Sequence, residues 1–297
     1  MTDKEKGFLL LTSRLGDALR PRLTVAQFRV LAQRVAAMDV PREERELNVT
    51  DLKALGYGAD MASRIVALLD EDDVLEHYLN RGYRTGCRCI SRISGEYPLR
   101  LRQKLGLEAP GCLWSKGDTS LLELSKVALV GSRDIEPANL EFAKEIGRQA
   151  ARQGYVLVSG NARGADKAAQ EACLRAGGRV IIVVADELCG HEGKENVLYL
   201  SEDGFDEAFS AQRAISRNRV IHSLAQATFV AQSAYQTGGT WDGTVKNLRF
   251  GWSRVCVNRD GSYAQKQLCD MGAAAVEINQ LEDLSAWFEL ENSMFTD

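Results

Sequence analysis

A chain of 297 residues with 45% apolar and 26% charged residues has the make-up of an ordinary globular protein of one large or two moderate domains. Its net charge of −4 excludes a global basic field, so any anion site must be a local cluster of arginines and lysines. The three histidines and seven cysteines are scattered, and the one crowd, Cys87 and Cys89 with Cys112, lacks the second pair that zinc-ligand spacing needs; neither a metal nor another cofactor is expected, and reduced thiols are.

The chain opens on charges ahead of a very short apolar run, "MTDKEKGFLLLTSRLGD", with no small-residue cleavage site after it. No apolar stretch approaches membrane-spanning length, so a cytoplasmic protein with no membrane partner is expected. Residues 1–90 then read as a helical module. In "VAQFRVLAQRVAAM", Val25, Phe28, Leu31, Ala32 and Val35 fall on one stripe. In "LKALGYGADMASRIVALL", Leu52, Leu55, Met61, Ala62 and Ile65 flank Gly56-Tyr57-Gly58. That turn is similar to a helix-hairpin-helix one residue short of its usual hairpin, as in SAM-like modules, where glycine amides approach a phosphate. A plain helical packing module is the preferred reading, because short glycine-containing helix turns are common. Residues 91–126, with Pro98, Pro110 and several glycines, read as a connector holding a short strand at Leu113-Trp114.

From residue 127 to the end the rhythm is strand, turn, helix. "VALV", "YVLV", "RVIIVV", "ATFVA" and "RVCV" are short buried strands, "AAVEI" is a further candidate, and "LSAWFELENSMF" reads as a closing helix. Alternation of this kind predicts an α/β fold, a doubly wound, mostly parallel sheet of extended Rossmann-like type with helices on both faces.

In such a sheet, ligands bind beyond the carboxyl ends of the strands. Three turns there carry matching chemistry: Gly131-Ser132-Arg133, then Ser159-Gly160-Asn161-Ala162-Arg163-Gly164, then Thr237-Gly238-Gly239-Thr240. Each offers small residues, hydroxyls and backbone amides, and the second and third lead into helix N-termini, which favour anions. Arg133 and Arg163 add planar forks suited to phosphate. Lys167 either reaches the anion or is solvated. Arg217, Asn218 and Arg219 follow in "ISRNRVIH"; on a helix residues 217 and 219 diverge by about 200°, so both face one ligand only at a helix start or an irregular turn. Trp241, Phe250 and Trp252 are either stacking partners for bases or core. Asp166 reads as a helix-start residue. Cys189 and His191 lie two apart on an apparent loop, a spacing that calls for no orienting acid, and read as packing or solvent-exposed side chains rather than as a nucleophile and base.

At this point "VALVGSRD", "LVSGNARGADKAAQEACLRAGGRVI" and "SRNRVIHSLAQATFVAQSA" resemble the DprA/Smf family, the DNA-processing proteins of natural transformation. The resemblance spans about residues 95 to 257, with "YPLRLRQKL" and "LWSKGD" ahead of the Rossmann-like part. It implies a non-catalytic protein that binds single-stranded DNA, forms homodimers and loads the RecA recombinase. Carried over by position, the phosphate contacts are Ser132, Arg133, Ser159, Gly160, Arg163 and Arg217 to Arg219. The chain is a divergent member. Gln170 stands where the family usually has His, Gln232 where it has an acid, and "TGGT" where it has Ser-Gly-Ser.

The "TGGT" turn also resembles the Lonely Guy phosphoribohydrolases, whose signature is Pro-Gly-Gly-x-Gly-Thr-x-x-Glu. Gly238-Gly239 matches directly, Gly243-Thr244 matches after a two-residue slip, and the Glu falls on Asn247. Cleaving a glycosidic bond to ribose calls for a carboxylate near the developing positive charge. Asn cannot supply one, and Asp242 is the one acid in the turn. A DNA clamp is therefore the first reading and a nucleotide-binding or nucleotide-processing enzyme the alternative.

Overall fold

The computed structural model describes residues 1–38, 47–202 and 204–288. Its strands are β1 (Arg88–Ser91), β2 (Cys112–Gly117), β3 (Lys126–Val130), β4 (Val156–Ser159), β5 (Arg179–Val183), β6 (Val197–Glu202), β7 (Ala227–Val230), β8 (Arg254–Asn258) and β9 (Ala274–Val276). They form one sheet in the order β1-β2-β6-β5-β4-β3-β7-β8-β9. Pairing is parallel from β6 through to β9 and antiparallel where β2 meets β1 and β6. This is the expected α/β sheet. Its central strands are fully buried, which is why they read as unbroken apolar runs rather than alternating ones.

Two strands were not expected. β6, "VLYLSE", is buried along its whole length although it ends in Ser201 and Glu202. β1 carries only one aliphatic residue, Ile90, and owes its place to pairing with β2. The segment expected as a connector holds a helix, Leu99–Leu105, besides β2. At the C-terminus the expected single helix is instead a short 3-10 turn, Leu284–Trp287, capped by Asp283 through the Ser285 N–H; residues 289–297 lie outside those described.

Near the N-terminus, helices Asp3–Thr12 and Asp72–Arg84 share one core with the sheet, where Phe8, Leu75 and Tyr78 meet Trp114 and Phe205. Helices Val25–Ala36, Val49–Ala54 and Ala59–Leu69 build a second, smaller core around Leu31, Leu52 and Ile65. The hairpin between the last two turns on Gly56 at φ +86° and is clasped by Arg34, which donates to the Leu55 carbonyl at 3.1 Å and lies over the Tyr57 ring.

The strand order reverses at β3. Successive strands run outward on one side as β4, β5 and β6, and the chain then returns to place β7 on the other side of β3. Connections leaving β3 and β7 must diverge at their carboxyl ends, and that divergence opens a crevice.

Candidate functional site

The crevice between β3 and β7 is a cavity of about 610 Å³. Its first wall is the turn after β3. A Cβ on Gly131 would lie 2.4 Å from that of Ala165, so only glycine lets the turn pass beneath the following helix. Ser132 donates through its N–H and its hydroxyl to the Gln232 carbonyl, at 3.0 and 3.2 Å, tying this turn to the loop after β7. The Gln232 side chain accepts from the Glu136 N–H at 2.8 Å and from Asn139 at 2.9 Å, the work an acid would do there. Arg133 is left exposed on the cavity wall.

The second turn supports the first. Gly164, at φ +82°, starts the helix Ala165–Arg175, and a Cβ on it would strike the Arg133 and Ser132 carbonyls at 2.3 and 2.6 Å. A Cβ on Gly160 would lie 2.1 Å from the Arg217 guanidinium. Buried Gln170, where the family's His was expected, donates to the Gly160 carbonyl.

The third wall is the N-terminus of the helix Gly238–Phe250. Thr237 makes no side-chain capping bond, and Gly238 has φ +78°, so the first turn's amides are left to face the cavity that Thr237, Gly238, Gly239 and Thr240 line. Asn218 fastens this turn by donating to the Gly239 carbonyl at 3.0 Å.

Arg217 closes the site. It sits at the junction between helices Ala211–Ser216 and Asn218–Leu224 and is 8% exposed. Its Nε has no hydrogen-bond partner, and among the described residues it makes no salt bridge. Burial lowers its pKa, against the pull of Asp166. Asp166 is buried beneath the cavity and accepts from the Ala162 N–H at 3.4 Å. Burial pushes its carboxyl up to about 6, with Arg217 and the Ala162 N–H opposing the rise. His222, on the same wall, is driven down to about 3 by burial and then by Arg217, so its ring is neutral.

Of the residues expected at the site, Gly131, Ser132, Arg133, Arg217, Asn218, Gly238, Gly239 and Thr240 line the cavity. Ser159 is buried at the end of β4, and Gly160 and Gly164 shape the walls from behind. Arg163 is an exposed side chain paired with Asp134 at 3.3 Å, and Lys167 is exposed on the following helix. Arg219 departs from expectation. Its guanidinium grips buried Glu202 at 2.7 and 3.1 Å and donates to the Ser216 carbonyl at 2.8 Å, away from the cavity. The helical junction at Arg217 does not bring both arginines to one side.

Asp166, His222, Phe209 and Ile215 line the cavity without having been expected there. Asp166 was visible only as a helix-start acid; its charged neighbour in the fold, Arg217, comes from 51 residues away in the sequence. Trp241 and Trp252 are core, while Phe250 is 58% exposed and stacks on Trp252. His191 bonds Asp186 at 3.0 Å and stacks on Tyr199.

Asn247, in the slot of the phosphoribohydrolase Glu, is fully buried. Its amide donates to Ser253 Oγ at 3.0 Å and its carbonyl accepts from the Ser253 N–H at 2.9 Å. Asp242 pairs with Lys246 at 2.8 Å on the same helix and does not line the cavity. Among the described residues, the lining carboxylates are Asp134 and Asp166.

The family described as DNA recombination-mediator protein A matches residues 88–284. The chain is 29% identical over 177 residues to the DNA processing protein DprA of Bacillus subtilis, a match covering 56% of this chain and 57% of that protein. The chain spans about half the length of the curated relatives it matches. Among solved structures, DprA of Streptococcus pneumoniae superposes with a TM-score of 0.72 at 24% identity, covering 97% of this chain and 99% of that one. A Helicobacter pylori DprA structure, described for its single-stranded DNA binding mode, gives 0.57 at 23% identity, covering 68% and 97%. At these identities the two structures establish the shared fold. No helix among the described residues is long and apolar enough to cross a membrane.

Proposed function

The chain belongs to the DNA recombination-mediator protein A family, and on that premise we propose that its crevice clamps the sugar-phosphate backbone of single-stranded DNA without cutting it. The observation that carries this reading is Arg217. A buried guanidinium with an unpartnered Nε, on a cavity wall that also presents a helix N-terminus, is an incomplete ion pair. A phosphate completes it. Arg133 adds a second fork and the Gly238-Gly239 amides add neutral donors.

The form of the nucleic acid follows from shape and charge. The chain is acidic overall, so a long duplex meets an unfavourable mean field. A flexible single strand can bend a few phosphates into the crevice. In the cell such a clamp would act in the cytoplasm as a homodimer handing the strand to a RecA-type recombinase. These further roles rest on the family's biology as the resemblance implies it.

The test is oligonucleotide affinity across a salt series, with single-stranded and duplex forms of one sequence and AMP as competitor. Two guanidinium contacts, Arg133 and Arg217, correspond to a slope of roughly −1.4, at about −0.7 per phosphate for single strands. Preference for the single strand with that slope supports the reading. Equal affinity for both forms, or displacement by AMP at equal concentration, overturns it in favour of a small-nucleotide site.

A further inference from the structure

Two aromatic side chains near the third wall do not line the crevice: Tyr235, on the loop that enters that wall, and Tyr263, at the start of the helix Tyr263–Asp270. Tyr235 is 37% exposed and Tyr263 is 61% exposed. Their rings meet edge to face, with centroids 4.7 Å apart, and Tyr235 meets the buried Trp241 in the same way at 5.0 Å. The three rings form a ladder anchored in the core at Trp241 and open to solvent at Tyr263. Gln236, next to Tyr235, has φ +51°, an uncommon conformation for a residue other than glycine, and it donates to the Tyr235 hydroxyl at 3.0 Å. Tyr235 is held in place rather than left to wave.

Position gives the ladder its meaning. Ala234 and Thr237, on either side of Tyr235 and Gln236, line the crevice. Ser233 and Ser262, neighbours of Tyr235 and Tyr263, line a second cavity of about 620 Å³ beyond the ends of β7 and β8. That cavity's wall holds the carboxamides of Asn139, Gln232 and Asn258, which bond to one another, and the acids Glu136, Asp260 and Glu277. The two tyrosines stand between the two cavities.

We propose that Tyr235 and Tyr263 form a stacking platform for a nucleobase of a single strand whose phosphate occupies the crevice. The proposal rests on the reading of the crevice as a single-strand clamp. The occupant is a base rather than a protein side chain because Ala234 and Thr237, which flank Tyr235 and Gln236, line the arginine-bearing crevice. Aromatic faces also accept any base, which suits a clamp without sequence preference.

The test compares a natural oligonucleotide with one of equal length whose internal sugars are abasic. Wild-type protein is expected to bind the natural strand roughly tenfold more tightly, the scale of one stacked base. The double variant Tyr235→Leu, Tyr263→Leu is expected to bind both strands at the abasic level, with the salt slope unchanged. Leucine keeps the apolar contact with Trp241, and near-ultraviolet circular dichroism checks that the loop is retained. A double variant that keeps the wild-type preference for the natural strand overturns the platform while leaving the clamp intact. A double variant that alters only self-association in sedimentation also overturns it, making the tyrosines a contact between copies. Wild-type protein that binds neither strand removes the clamp, and the platform with it.

Discussion

Asp166→Asn isolates the electrostatics of the crevice. The carboxyl is buried and raised to about 6 from an ordinary 3.8, a difference worth at most about 3 kcal/mol. The sign follows from proton counting. Between about pH 4 and 6 the folded chain holds a proton that the unfolded chain has released, so stability falls as pH rises through that window and is level above it. Asparagine carries no charge at any pH and can still accept from the Ala162 N–H. The variant is therefore expected to match wild type near pH 3.5 and to exceed it by about 1–3 kcal/mol at pH 7.5, measured by urea unfolding at each pH. Binding should move with it. An ionised carboxylate within the same crevice opposes a bound phosphate by roughly 1–2 kcal/mol at an effective dielectric of about 20, so the variant should bind a single strand about tenfold more tightly at pH 7.5. Wild-type affinity should rise as pH drops from 7.5 to 5, and the variant's should not. His222, on the same wall, is neutral throughout this window, because burial and Arg217 drive it down to about 3. Weaker binding by Asp166→Asn, or an unchanged pH slope, would refute the reasoning and make Asp166 the group that orients Arg217.

Arg133→Ala should cost no more than about 0.5 kcal/mol of stability, because its side chain is exposed, yet weaken oligonucleotide binding and lower the salt slope by about 0.7. Arg219→Met should do the reverse. It removes the guanidinium that grips buried Glu202 and should destabilise the fold in urea unfolding by roughly 3 kcal/mol, while the protein that remains folded binds within about twofold of wild type. Gly164→Ala forces a Cβ against the Arg133 and Ser132 carbonyls at an unfavourable φ; a loss of more than about 2 kcal/mol together with weakened binding is expected, and wild-type binding would show that the first two turns do not depend on each other.

The sheet was legible in the sequence wherever burial on both faces leaves a short unbroken apolar run, as at Val127–Val130 and Val180–Val184. It was illegible where a strand's identity comes from its partners. Val197–Glu202 ends in polar residues whose burial is made possible by Arg213 and Arg219 reaching across to Ser201 and Glu202. The same limit governs the site. Glycine turns announce themselves because a side chain would not fit, and a Cβ on Gly131, Gly160 or Gly164 would lie 2.4 Å or less from a neighbouring atom. Arginines do not announce which way they point. Arg217 and Arg219 look equivalent in "SRNR", but one finds a cavity without a partner and the other finds a buried carboxylate.

That difference bears on whether the crevice holds or cuts. A glycosidic hydrolase places an ionised carboxylate against the sugar, on the side from which positive charge develops. Here the helix position that would supply it is Asn247, whose amide is bound on both sides by Ser253, and the nearest acid on that helix, Asp242, is drawn outward by Lys246. Asp166 does reach the cavity, but its environment favours the protonated form far more than an ordinary carboxyl's does, and the group it faces is Arg217. A carboxyl so placed tunes the charge of a guanidinium and is poorly suited to stabilise a cation on a ribose. The polar groups left unsatisfied in the crevice are donors, namely Arg217 Nε and the first amides of the helix Gly238–Phe250. Unpartnered donors of this kind describe a surface that favours an anion.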